Sequence, residues 1–211
     1  FIVPGLCDIS AGTNAAGSLT KWYRNTIFPD ALELEQNGGP DAYITMMQDL
    51  DKIPVGSDGL ITLPYFAGER TPINDPLARG ILFGLTLAHT RQHMYRSALE
   101  SVAYSVNQQL KIMLEHDVPI VEFDRDTEGN LAYTREGAHS EYRILHHQDV
   151  TGKEISTPAI TVGASFGDAL MAASGIKYSG FESFNKLTDF IKPGKTYHPN
   201  KENHEAYKKY Q

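Results

Sequence analysis

The stretch from Gly59 to Glu100, GLITLPYFAGERTPINDPLARGILFGLTLAHTRQHMYRSALE, places the tightest limit on what this chain can fold into. Leu60 to Phe66 is apolar and rich enough in β-formers to predict a strand. Ala67 to Arg79 is charged and turn-rich, with prolines at 72 and 76, and reads as a loop. Gly80 to Leu87 is a second apolar run and a second strand. Thr90 then supplies an N-cap for a helix that continues to about His116. Met94, Leu99, Val102, Val106, Leu110, Met113 and Leu114 give that helix a wide apolar stripe, expected to pack against a sheet. Strand, loop, strand and long helix in this order predict an α/β fold, a sheet layer covered by helices.

The flanking segments extend the same alternation. Residues 8–16, DISAGTNAA, are small and read as a loop. Gly17 to Ile27 reads as a helix with Leu19, Trp22 and Tyr23 on one side, ended by Pro29. Glu33 to Pro40, with its Gly-Gly pair, is expected to be a surface loop. Asp41 is placed to cap a helix in which Ile44, Met47 and Leu50 recur at a rough helical period. Pro54 to Gly59 is a turn cluster. Downstream, Val118 to Phe123 predicts a strand, Asp124 to Asn130 a charged turn and Leu131 to Thr134 a short returning strand. His139 to Val150 is a weaker helix. A strand is expected near Pro158 to Val162, a small-residue helix over Ser165 to Ser174 closed by Gly175, and a further helix over Phe181 to Ile191. The tail from Lys192 to Gln211 is polar and Tyr-rich, expected to wrap the surface.

A chain of 211 residues suits one domain, or one and a half. Its net charge of -7 argues against a general nucleic-acid or anionic-membrane surface. The single cysteine, Cys7, allows no internal disulfide and reads as a buried structural thiol. No apolar stretch approaches a membrane span, and no signal peptide is visible, so the cytoplasm is the expected compartment. The chain opens at Phe1 inside an apolar run, FIVPGL, which suggests a fragment of something longer.

The run Gly80-Ile-Leu-Phe-Gly84-Leu85, seven further residues, and then His93-Met-Tyr-Arg-Ser97-Ala-Leu-Glu100 resembles the second signature of the FGGY carbohydrate kinases. The flanking LPYFAGERTPINDPLARG is similar to the xylulokinase-like branch of that family. The resemblance implies an actin- and hexokinase-like protein of two RNase-H-like lobes that close on ATP and a sugar, with Mg²⁺. Residues 1–211 would be its C-terminal lobe, with a mixed sheet flanked by helices. Its partners would be an N-terminal kinase lobe and a sugar substrate, and a homodimer is open to it. The catalytic aspartate and the phosphate loop of the family lie upstream of this segment, so no catalytic residue is assigned here. The isolated chain is expected to be inactive. AAGSLTKW, residues 15–22, is similar to the family segment that meets the nucleotide at a helix start. The bare backbone of Gly17 and the helix N-terminal amides would accept a phosphate or ribose, with Lys21 one turn on. A helix start with a solvated lysine is the plain alternative. Gly137, Ala138 and Ser140 match the family loop that holds adenine, followed at the family spacing by Asp149-Val-Thr-Gly-Lys153. Arg135 and Glu136 stand where the family has glycines, and Leu145 where it has glutamine. In the GERTP loop, Glu69 with Arg70 and Asp75 with Arg79 are placed to form ion pairs that pin the loop near the cleft.

Three other constellations compete. Gly163-Ala-Ser165-Phe-Gly167 is G-x-S-x-G between a strand and a helix, the setting of a hydrolase nucleophile, with Asp189 and His198 or His204 following. About 45 residues after Ser165 are too few for that fold, and the resemblance makes Ser165 a helix cap. His89 and His93 are four apart and could share a metal on a helix, though no third ligand is evident. His146 and His147 read as solvated. A lobe that only binds a partner is the remaining alternative; standing alone, it would expose the apolar face meant for its other half.

Overall fold

The computed structural model describes residues 11–117, 131–132, 147–159, 163–178, 180–181, 187 and 190–211, with backbone alone at 131–132, 156–158, 163–164 and 193. The expected strand at 118–123, the turn at 124–130 and most of the expected helix at 181–191 lie outside these residues, as does Cys7.

The first layer is helical. Helix α1 spans Ala16–Thr26 and buries Leu19, Thr20 and Tyr23. Pro29 does more than end it: Pro29 opens helix α2, Pro29–Gln36, where a surface loop was expected. A first-turn proline needs no N–H and has its φ preset, and the Glu-Leu-Glu-Gln run that follows is helix-forming. Asp41 caps helix α3, Ala42–Met46, accepting the Tyr43 N–H at 2.7 Å. That helix is shorter than its periodicity suggests, because Asp49 takes a left-handed φ of 65°. Ala42, Met46 and Leu50 are buried, and Ile44 is exposed.

Strand β1, Ile61–Leu63, pairs antiparallel with β2, Ile81–Phe83, in the register Ile61 to Phe83. Both strands are shorter than the apolar runs that contain them. The loop between them packs tightly: a Cβ at Gly80 would meet the Phe66 ring at 2.2 Å, and one at Gly84, φ +88°, the Gly59 carbonyl at 2.7 Å. The signature glycines thus answer to packing of the hairpin on itself.

Helix α4, Arg91–Glu115, follows from Thr90 as expected. Every residue from Tyr95 to Ala103 is buried, so the helix is enclosed on all sides rather than along one stripe. Of the expected apolar stripe only Leu99 and Val102 are fully buried, while Leu114 is exposed. Tyr95, Ala98, Leu99 and Val102 share a core with Leu19, Tyr23, Phe28, Met46 and Leu50 from the helices and turns packed against them. Arg91 reinforces the seam outside, holding Asp30 through two bonds of 2.6 and 2.8 Å.

A second sheet orders β3, Leu131–Ala132, parallel to β4, Ile155–Pro158, and β4 antiparallel to β5, Pro193–Tyr197. Helix Gly163–Gly175 follows β4. The tail is not a surface wrap. It supplies β5 and the helix Lys201–Tyr207, whose Tyr207 is fully buried with Ala103 and Val150. Among the described residues no helix is long and apolar enough to cross a membrane.

Candidate functional site

The turn before α1 meets the GERTP loop. Glu69 is 2% exposed. Its Oε2 accepts the Thr13 hydroxyl at 2.7 Å and its Oε1 the Arg70 N–H at 2.8 Å. The Glu69 N–H donates to the Asp75 carbonyl at 2.9 Å, closing the loop on itself across the cis Thr71–Pro72 segment. Arg70 turns away from Glu69 and lies over Gly12, where a Cβ would stand 2.7 Å from its Nη2. Burial, and then the charge of Glu69, raise the Tyr65 phenol above its usual range. Trp22 of α1 rests on Phe66 with ring centroids 5.2 Å apart. The ion pairs expected in this loop do not form. Asp75 instead accepts the Leu77 N–H, and Arg79 donates to the Pro76 and Ala78 carbonyls. Neighbouring backbone groups reach these side chains at lower entropic cost than a partner across the loop.

Gly17 stands in the first turn of α1, exposed, with no atom within 4 Å of where a Cβ would point. The N-cap is Ala15, whose methyl offers no acceptor to the first amides of the helix. Lys21 is exposed one turn on. Gly137, Ala138 and Ser140, with Arg135 and Glu136, lie outside the described residues. The segment after them is described. Asp149 accepts the Asn200 N–H at 2.7 Å and the Asn203 amide at 2.8 Å, and its carbonyl meets His204 Nδ1 at 2.9 Å. The Asp-Val-Thr-Gly-Lys segment is thus clamped to the helix Lys201–Tyr207. His147, expected to be solvated, is buried, because this clamp covers the helical turn at 147–151; His146 lies outside the described residues.

A polar hub that reading along the chain misses lies under both regions. Glu100 accepts from Gly56 N–H, Ser57 Oγ, Arg96 Nε and Tyr207 Oη at 2.8 to 3.0 Å. Arg96 also donates to the Leu50 and Ile53 carbonyls. Burial, the largest single influence, would lower the Arg96 pKa, but the Glu100 charge together with Tyr207 and the hydrogen bonds to both holds Arg96 above its usual value. The one available signal was the i, i+4 spacing of Arg96 and Glu100 inside an apolar helix.

The competing constellations lose their geometry. Ser165 is exposed within the helix that begins at Gly163, neither on a strand-to-helix elbow nor at the cap it was expected to form. His204 is committed to Asp149 and His198 to Glu154, and Asp189 lies outside the described residues. His93 Nδ1 accepts the Thr90 N–H at 3.2 Å, and His89 Nδ1 accepts the Thr86 N–H at 2.9 Å. In the neutral ring each Nε2 therefore carries the proton and has no lone pair for a metal. His93 Nε2 faces Asp58 instead, at 3.2 Å. Both histidines serve the start of α4. Among the described residues no cluster of three or more His, Cys, Asp or Glu could hold a metal.

Known proteins resemble this chain in sequence and fold. The model of the FGGY family of carbohydrate kinases, C-terminal domain, matches residues 2–127. The chain is 28% identical to xylulose kinase of Staphylococcus xylosus over 89% of its length and 35% of the relative's. It is 30% identical to gluconokinase of Bacillus subtilis over 90% of its length and 35% of the relative's. The crystal structure of xylulose kinase from Rhodospirillum rubrum superposes with a TM-score of 0.72 at 26% identity, covering 93% of this chain and 36% of that one. The chain therefore spans about 35% of the length of the curated relatives it matches. With the family model matching more than half of the residues and the fold following the sequence, this chain belongs to the FGGY family of carbohydrate kinases and carries its C-terminal domain.

Proposed function

We propose that this chain forms the nucleotide-side lobe of an ATP-dependent kinase that phosphorylates a hydroxyl of a pentulose or a related sugar or polyol. The observation that carries this reading is the first turn of α1, where Gly17 is exposed over open space above amides that the Ala15 methyl cannot cap. Such a helix start favours a phosphate or ribose. The exposed Lys21 stands one turn further along the same helix. Gly137, Ala138 and Ser140 would hold the adenine on the resemblance alone. The names of the relatives, xylulose kinase and gluconokinase, point to the acceptor class.

Mg-ATP supplies the transferable γ-phosphoryl group. The described residues build no metal cluster of their own, and Mg²⁺ is commonly held through substrate phosphates and one or two carboxylates. Phosphoryl transfer needs a carboxylate to orient the sugar hydroxyl, together with positioning and charge stabilisation around the phosphates. In this reading the base and the sugar pocket come from an N-terminal lobe. This lobe holds one wall of the nucleotide site, and closure of the two excludes water.

The test titrates Mg-ADP into the protein carrying this chain, beside a Gly17→Trp variant, with thermal melting as a control. Nothing crowds Gly17, so the variant is expected to fold normally and to lose at least about tenfold in affinity, as a filled pocket would. Unchanged affinity would remove α1 from the nucleotide wall. Robust sugar phosphorylation by residues 1–211 alone would refute the division of labour between lobes.

A further inference from the structure

We propose that Glu69 is a positioning residue for the nucleotide wall, fixing the turn that leads into α1 and so the place where Gly17 presents its backbone. The inference rests on the nucleotide reading of α1. Glu69 and Thr13 are 56 residues apart in sequence, yet their side chains meet in a buried hydrogen bond of 2.7 Å. The GERTP loop does not need this bond to close, since the backbone contact from Glu69 N–H to the Asp75 carbonyl already does so. The body of α1 does not need it either. Leu19 and Tyr23 are sunk in the core, and Trp22 rests on Phe66. What remains for the carboxylate to hold is the incoming turn, residues 11–15, and with it the N-terminal end of the helix.

The chemistry of the holder supports this role. Among the described residues no lysine, arginine or histidine forms a salt bridge with Glu69. Its two oxygens are held by a hydroxyl and an amide. A buried carboxylate without a cationic partner is a costly way to join two loops. It is, however, directional, because each oxygen is assigned to one donor. Arg70, the next residue, lies over Gly12, so the same loop touches the same turn at two adjacent points. Displacing Glu69 would let the turn relax while the hydrophobic body of α1 stays in place.

The experiment uses the kinase carrying this chain and measures the Kd for Mg-ADP together with KM for ATP and for the sugar. The variants are Thr13→Val, Glu69→Ala, their combination, and Glu69→Gln. Each of the first two is expected to weaken Mg-ADP binding about tenfold, the scale seen when a residue acts through another on a binding site. The double variant is expected to be no weaker than either single one, because both remove the same bond. Glu69→Gln keeps an acceptor oxygen and is expected to recover most of the loss. The KM for the sugar is expected to move less than about twofold, separating local misplacement from general loosening. Thr13→Val removes only a hydroxyl, so it carries the test even if Glu69→Ala fails to fold. Unchanged Mg-ADP affinity in Thr13→Val, or additive losses in the double variant, overturns this inference and leaves the nucleotide reading standing. A wild-type protein that does not bind Mg-ADP overturns both.

Discussion

Glu69 and Glu100 are both carboxylates shut away from solvent, at 2% and 1% exposure, and they are held in different ways. Glu100 projects from α4, with four donors, Arg96 among them, around its two oxygens. It ties the turn at Gly56 and Ser57, the long helix and Tyr207 of the closing helix into one unit. Glu69 lies within a loop, with a hydroxyl and an amide as its donors among the described residues, and ties one turn to another. The first arrangement has charge neutralised and every oxygen satisfied, which suits a fixed interior. The second has direction without charge compensation, which suits the edge of a site. A buried charge therefore reads as architecture or as positioning according to what surrounds it.

The sharpest way to break this contrast is Glu100→Ala. It leaves the Arg96 guanidinium buried without its carboxylate and removes the acceptor shared by Gly56, Ser57 and Tyr207, and is expected to lower unfolding free energy by about 3–5 kcal/mol. Glu69→Ala is expected to cost less, about 1–3 kcal/mol, because it strands one hydroxyl and one amide. Chemical denaturation of the two variants side by side checks the order; equal losses would erase the distinction.

Alkali sharpens it further. Burial first, and then the Glu100 charge, push the Tyr207 phenol well above its ordinary value. The unfolded phenol titrates near pH ~10, and above that the unfolded state releases its proton while the folded state keeps it. Stability associated with Tyr207 is thus complete below pH ~10 and falls as pH rises, by at most about 1.4 kcal/mol per unit. Tyr23, pushed up to about 12 by burial and drawn back slightly by Thr62, adds a loss confined between the unfolded value and about 12. Tyr207→Phe is expected to flatten the alkaline slope of unfolding free energy. Tyr65→Phe, beside Glu69 and far less buried, is expected to change it little. Equal slopes in the two variants would show that the Glu100 hub is no more closed than the Glu69 loop.

The hairpin, the Thr90 cap and the long helix were legible because each rests on local chemistry. Apolar runs bounded by turn residues make strands, and a capping threonine before a helix-forming run makes a helix start. The signature glycines and the AAGSLTKW segment are legible as motifs, so the family and the candidate helix start follow from the sequence. Pro29 ends α1 as expected, but the polar run from Glu33 misled: its first residues continue the helix that Pro29 opens, which the burial of Ala31 anchors. The tail misled because its tyrosines and lysines look solvated in isolation; Tyr207 is buried with Ala103 and Val150 and donates to a carboxylate 107 residues away in sequence.

The sequence alone determined the family, the alternation of strands and helices along the Gly59–Glu100 stretch, and the presence of a glycine where a helix begins. The tertiary structure decided which charges are interior. It made Glu69 a partner of Thr13, turned Asp149 toward the closing helix, and gathered three segments on Glu100. These are contacts between residues 43 to 107 positions apart. No local propensity encodes them, because a hydrogen bond across such a distance depends on the packed core that brings its two ends together.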